Sequence, residues 1–153
     1  MDYKEALFVI ARTLGIAGLF YVLTFLYHEA VHLFVLNMTG GEGHMIFGQG
    51  FGFVVIDKLP TAQYGDIIVA FSGGIAMGFI LLILALILLD DAEEKAALIP
   101  LAIMQLTYGI FEGCFIRSMS LNVYLELAQL VSYLALAFGT LPSMYILYNK
   151  LTK

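Results

Sequence analysis

The chain has 153 residues, of which 61% are hydrophobic and 12% charged, and its formal net charge is −5. Its mean hydropathy of +0.94 lies outside the range of soluble domains and predicts a multi-pass integral membrane protein surrounded by the lipid bilayer, most simply that of the cell membrane. The acidic balance without a basic cluster argues against nucleic acid as a partner. The single cysteine, Cys114, excludes an intrachain disulfide.

Four apolar segments are each longer than the roughly 20 residues needed to span the hydrocarbon of a bilayer. Lipid offers no hydrogen-bond partners to the backbone, so each segment is predicted to be a helix. The predicted fold is an all-α integral membrane protein with four transmembrane helices, which form a single membrane domain over residues 1–153. The helices are predicted at residues 6–38, 64–89, 96–118 and 121–148.

The first segment contains an HExxH pentapeptide, which consists of His28-Glu29-Ala30-Val31-His32. On a helix the two histidines lie one turn apart on the same face, where both can bind one Zn²⁺, and Glu29 lies beside them to transfer protons. The alternative is a structural role, in which the two histidines and the glutamate satisfy one another between packed helices.

Residues 40–63 connect the first two segments and differ from the other connections. Three glycines, Gly40, Gly41 and Gly43, end the first helix, and two strand-like runs follow at residues 44–47 and 51–56. This pattern predicts a short β-hairpin-like loop near the membrane surface, with a flexible connector as the alternative.

Two shorter features concern packing. The acidic residues 90–95 predict a solvated turn with helix N-cap character. Gly74 and Gly78 form a GxxxG motif in the second segment, which predicts close approach to a neighbouring helix behind the metal site.

A catalytic zinc ion usually has three protein ligands and one open position, so the HExxH motif needs a third ligand. Glu112 is the candidate, because it and His32 each lie six residues before the predicted ends of their helices, roughly 9 Å below the same membrane surface. Glu126 is a second candidate, and a hydrogen bond from Glu112 to Tyr108 or another span is the structural alternative. Nearer the surface, and predicted to serve solvation, capping or gating, are Asp57, Asp66 and His44.

These residues together predict one zinc ion per chain, held by His28, His32 and Glu112. Glu29 is then the general base, which takes the proton of the attacking water and delivers it to the leaving amine. An apolar site strengthens this electrostatic chemistry, and the shallow depth gives water a route to it.

The chain resembles the site-2 protease family of intramembrane zinc metalloproteases over residues 21–116. His28, Glu29 and His32 match the family's HExxH motif, and Glu112-Gly113 takes the place of its Asp-Gly pair. The proline and asparagine of the family's other two motifs are missing here. The resemblance implies a short, minimal member that cleaves a membrane-embedded segment of a membrane protein or peptide substrate, and it leaves open whether the chain forms a homo-oligomer.

A helical peptide bond is shielded by its own hydrogen bonds, so a substrate must unwind before hydrolysis. The strand-like run 51–56 could hold the unwound segment by strand addition at its edge. Phe53, Val54 and Val55 are therefore the candidate substrate-binding residues.

Two other functions stay open at this stage. A catalytically silent homologue could bind a membrane partner or a metal, although metal storage does not require Glu29. A small ion or metal transporter could use His28, His32 and Glu112 as a relay, but no inverted repeat supports it. The membrane orientation also stays open, because the excess of Lys and Arg near the termini places both termini in the cytoplasm, whereas the family resemblance favours the opposite arrangement.

Overall fold

The computed structural model describes residues 2–48 and 51–152, which form four long helices and one two-stranded antiparallel sheet. The helices are α1 (Tyr3–Met38), α2 (Gly65–Ile83, continued by a π-helical turn, Leu84–Leu88), α3 (Ala92–Phe115) and α4 (Leu121–Leu151). All four are long and apolar enough to cross a membrane, which is consistent with a multi-pass membrane protein. The predictions of four such helices and of a hairpin after the first are confirmed.

Both ends of α1 have specific caps. Asp2 and Glu5 form a capping box, in which each side chain accepts a hydrogen bond from the backbone N–H of the other. At the other end, Gly40 adopts a left-handed φ of 81°, and the N–H groups of Gly40 and Gly41 donate to the carbonyls of Asn37 and Leu36. This Schellman arrangement explains why the helix ends at the glycines, as predicted.

The hairpin consists of β1 (Glu42–Gly48) and β2 (Phe51–Lys58), paired from Glu42 opposite Lys58 to Gly48 opposite Phe51. It runs back along α1 toward the HExxH motif. A Cβ added to Gly43 would lie 2.8 Å from Cδ2 of Leu36, and one added to Gly52 would lie 3.0 Å from Cγ of Glu29. The hairpin therefore follows α1 for about 10 Å.

The third helix begins and ends earlier than the sequence predicted. Its first turn includes residues 92–95, which were assigned to the acidic turn, because acidic residues favour the first turn of a helix. Asp91 occupies the N-cap position, but its side chain makes no capping hydrogen bond. Its carboxylate instead accepts a hydrogen bond from Nη2 of Arg12 at 2.9 Å, which ties the start of α3 to α1.

Glycines set the contact between α2 and α3. A Cβ added to Gly74 would lie 2.5 Å from Cα of Gly109, and one added to Gly78 would meet the side chain of Leu106. The predicted GxxxG contact is confirmed, and α3 is the helix that it meets. On another side of α3, Gly139 of α4 packs against Pro100.

Ion pairs mark the two ends of the bundle. Arg12 pairs with Asp91 at one end, where the buried Glu93 also binds Lys150 of α4, and Arg117 pairs with Asp66 at the other end. About 24 residues of helix separate the two ends along α2, which corresponds to roughly 36 Å. An apolar layer of bilayer thickness, about 30 Å, fits between them.

Candidate metal centre

The two histidines of the HExxH motif point together into the interior of the bundle. Each is only 5% exposed, because the face of α1 that carries them packs against α2 and α3. Their rings lie 4.6 Å apart at an angle of 72°, and their Nε2 atoms are 2.9 Å apart. The one-turn spacing therefore brings two imidazole nitrogens to one point.

Glu112 of α3 reaches the same point. Its Oε2 atom lies 3.4 Å from Nε2 of His28 and 3.3 Å from Nε2 of His32. All three potential ligand atoms are within 4.8 Å of one another, and the three residues are buried or half-buried. Residues 80 positions apart in the sequence, His32 of α1 and Glu112 of α3, thus contribute to one cluster.

The outer nitrogens of both imidazoles bond to carbonyl oxygens. Nδ1 of His28 lies 2.8 Å from Oε1 of Gln105, and Nδ1 of His32 lies 2.6 Å from the backbone carbonyl of Val69. A carbonyl oxygen only accepts hydrogen bonds, so each Nδ1 carries the proton and donates it. When both rings are neutral, their Nε2 atoms therefore present lone pairs toward Glu112.

Three acceptor atoms consequently converge without a donor between them. Among the described residues, Glu112 Oε2 is the one buried side-chain polar atom that has no hydrogen-bond partner. A buried carboxylate oxygen beside two lone pairs is costly unless a cation lies between them. Two imidazoles and a carboxylate are a common ligand set of catalytic zinc sites, so this cluster fits zinc.

Glu29 lies on the same helix, half-buried and between the histidines and the hairpin. Its carboxylate is close enough to the backbone of Val54 in β2, and to His28, His32 and Glu112, to interact with them electrostatically. Glu29 is not one of the three residues of the cluster. Its position leaves it free to act as a base beside a metal.

The backbone of α2 covers the other side of the cluster. A Cβ added to Gly73 would clash with Nε2 of His32 and lie 2.9 Å from Cδ2 of His28. Only glycine allows the helix to approach the imidazoles so closely. The neighbouring Ser72 donates its hydroxyl to the carbonyl of Val69, which also accepts from His32.

The remaining predicted site residues lie elsewhere. Glu126 is exposed on α4 and is absent from the cluster, so the structure brings together Glu112 rather than Glu126. The structure contains no hydrogen bond between Glu112 and Tyr108, and the Tyr108 hydroxyl accepts one from the Tyr124 hydroxyl at 3.3 Å. At the surface, His44 pairs with Asp57 on the hairpin and Asp66 pairs with Arg117. The candidate substrate-binding residues, Phe53, Val54 and Val55, all lie in β2.

Three contributors to the site were missed from the sequence. Gln105 is a buried polar residue within a spanning helix, two turns before Glu112, and that burial in an apolar segment could have indicated a partner. No contact of Gly73 with the histidines was predicted. The carbonyl of Val69 left no trace in the sequence, because every residue has one.

No protein-family model, curated protein or solved structure matches the chain. The likeness to the site-2 proteases therefore rests on the motif residues alone. The convergence of His28, His32 and Glu112 is an independent geometric observation, since none of the three comparisons contributes to it.

Proposed function

We propose that this protein is a zinc-dependent intramembrane endopeptidase, with His28, His32 and Glu112 as ligands and Glu29 as the general base. The observation that carries the proposal is the convergence of three buried acceptor atoms, 2.9–3.4 Å apart, with a carboxylate beside them. A zinc ion bound there would supply Lewis-acid activation of water and of the scissile carbonyl.

The protein's own residues account for orientation and proton transfer. Gln105 and Val69 fix the tautomers of the histidines, so both Nε2 atoms face the cluster. Glu29 takes the proton of the attacking water and later delivers it to the leaving amine. Packing of Gly52 against its side chain keeps the carboxylate between the cluster and the hairpin.

The hairpin supports a peptide substrate in particular. β2 reaches the base, because Gly52 packs against the Glu29 side chain and the Val54 backbone is close enough to its carboxylate for electrostatic interaction. An unwound segment added as a strand at the edge of β2 would bring its backbone to Glu29. A storage protein or an ion relay has no use for a strand in that place.

Metal content of the detergent-purified protein is the first test. We expect about one zinc per chain in wild type and in Glu29→Gln, and weakened or lost zinc in His28→Ala and Glu112→Ala. Full zinc retention in Glu112→Ala would point to Glu126 as the third ligand, and a wild type that takes up no added zinc would refute the metal site.

Hydrolysis is tested with the same variants. Membranes from cells that express wild type or Glu29→Gln are compared by mass spectrometry of new N-termini inside apolar segments. We expect such termini with wild type alone, and purified zinc-loaded protein should reproduce the cuts in vesicles at a rate at least 10²-fold above Glu29→Gln. Zinc binding without any cut would identify a catalytically silent protein.

A further inference from the structure

Three helices surround α3, and they define two clefts that differ in width. At 100° per residue, the sides of α3 that face α1 and α2 are about 80° apart, and those that face α1 and α4 about 120° apart. The contacts that define these sides are Gln105 and Glu112 toward α1, Leu106 and Gly109 toward α2, and Pro100 and Phe111 toward α4.

These angles translate into distances between helix axes. With helices packed 8–10 Å from α3, the axes of α1 and α2 are roughly 12 Å apart, and those of α1 and α4 roughly 16 Å. Among the described residues, α4 packs against α3 and has at most marginal contact with α1, whereas α1 packs against both α2 and α3. A cleft therefore lies between α1 and α4, with α3 as its floor.

The α1–α4 cleft leads directly to the metal cluster. Tyr108 lies between the sides of α3 that face α1 and α4, and its ring contacts the His28 ring edge-on, with centroids 5.4 Å apart. Its hydroxyl accepts a hydrogen bond from Tyr124 of α4. About two turns from His28 along α1, the cleft contains Tyr21, which is 43% exposed. Tyr21 is close enough for electrostatic interaction to Tyr133 of α4, which is 67% exposed.

The α1–α2 cleft is closed before it reaches the cluster. It contains an apolar cavity of about 210 Å³, whose lining includes Leu23 and Ile80. Toward the metal cluster, however, the α2 backbone at Gly73 lies against both imidazoles. A peptide in this cavity could not pass Gly73 to reach Glu29.

From these observations we propose that a membrane-spanning helix of the substrate docks in the cleft between α1 and α4, over Tyr108, and unwinds toward β2 at the end near Glu29. The proposal rests on the proposed function and names the route to that site. The occupant is an apolar helix, because α1 and α4 are both apolar enough to cross a membrane and Tyr21 and Tyr133 are aromatic. The charged residue on the same face of α4 as Tyr133 is Glu126, which lies two turns closer to the end where the substrate unwinds. Its width of about two interhelical distances suits one further segment.

Photo-cross-linking tests the route without requiring hydrolysis. A benzophenone amino acid replaces Tyr133 or, as the matched control in the other cleft, Ile80, both in a Glu29→Gln background that is loaded with zinc. The probe is a biotinylated synthetic peptide with one apolar span of about 20 residues and a Gly-Asn pair near one end, reconstituted in the same vesicles. We expect adducts at position 133 at least tenfold above those at position 80. Equal adducts, a reversed preference or no adduct would overturn the route.

Covalent closure of each cleft provides a second measurement. In a Cys114→Ser background, one variant carries Tyr21→Cys with Tyr133→Cys and the other Leu23→Cys with Ile80→Cys, and each pair is linked through two thioethers by a short bis-maleimide. Cleavage after linking, relative to the same variant before linking, should fall at least tenfold for the α1–α4 pair and less than twofold for the α1–α2 pair, with zinc content unchanged. Loss in both pairs, in neither, or in the α1–α2 pair alone would refute the route.

The two proposals fail in different ways. If unlinked, zinc-loaded wild type cuts no spanning peptide, the proteolytic function fails, whereas the adduct pattern at positions 133 and 80 still reports where a helix docks. If wild type cuts the peptide but the adducts form at position 80, the function stands and the route is wrong.

Discussion

Replacing Gly73 with alanine tests the closest contact at the metal site. The added Cβ would lie 2.7 Å from Cδ2 of His32 and 2.9 Å from Cδ2 of His28, whereas carbon atoms in ordinary contact are about 3.5 Å apart or more. To remove this clash, the added Cβ and the imidazoles must move apart by almost 1 Å. The α2 backbone cannot supply it easily, because Gly74, the next residue, lies against the α3 backbone at Gly109. The imidazoles must move instead.

Such a shift is large for a metal site, because ligand distances are usually held within about 0.2 Å. We expect the zinc affinity of Gly73→Ala to fall at least 10-fold, about 1.4 kcal/mol or more. The substitution also stabilises the helical conformation of α2, since alanine is favoured over glycine in a helix interior by up to about 1 kcal/mol. Zinc affinity should thus be lost without an equal loss of folding stability.

The assay for Gly73→Ala is zinc competition with a fluorescent chelator, combined with thermal unfolding of the metal-free protein. Gly18→Ala is the matched control, because it makes the same change in α1 with no atom within 4 Å of the added Cβ, and its zinc affinity should equal that of wild type. If Gly73→Ala binds zinc within threefold of wild type, then α2 does not lie against the imidazoles and the reasoning is refuted.

Three further predictions concern the surroundings of the site. Gln105→Leu removes the acceptor of His28 Nδ1–H and should lower zinc affinity about 10–100-fold; unchanged affinity in the competition assay would show that Gln105 does not orient the ring. Lys150→Ala leaves the buried Glu93 without its lysine partner and should reduce the free energy of unfolding by about 1–3 kcal/mol, measured by denaturant titration in detergent. Val54→Pro removes an N–H from β2 and should reduce peptide cleavage at least tenfold while zinc is retained, whereas Val54→Ala should not; equal rates would contradict the strand-addition hypothesis.

The four long apolar helices could be predicted because a bilayer leaves an apolar segment of 20 or more residues only one regular structure. The hairpin was predictable for a local reason, since the glycines end α1 and the strand-like runs follow at once. The start of α3 was predicted less well. The helix begins at Ala92, four residues before the predicted start, because the acidic residues assigned to a turn also suit a helix N-terminus.

The site was predictable to the extent that its chemistry is local. The i,i+4 spacing of His28 and His32 fixes their common face, and equal depths below one surface selected Glu112. Whether Gln105 and Gly73 face the site depends on how α3 and α2 are rotated about their own axes. A single sequence does not record that rotation, which depends on packing between helices.

The candidate metal site lies close to one end of the bundle, which suits both the access of water and the docking of a substrate helix. Glu112 is five residues from Arg117, whose pairing with Asp66 marks one end of the bundle, so the metal cluster lies about 8 Å inside that end. In the proposed peptidase, water would have only this distance to cross, and a spanning substrate would need to unwind only its last one or two turns. The described part of the hairpin has two strands, β1 and β2. In the proposed peptidase, a substrate strand paired along β2 would form backbone hydrogen bonds there, and the free energy of that pairing would offset the cost of unwinding the scissile segment beside Glu29.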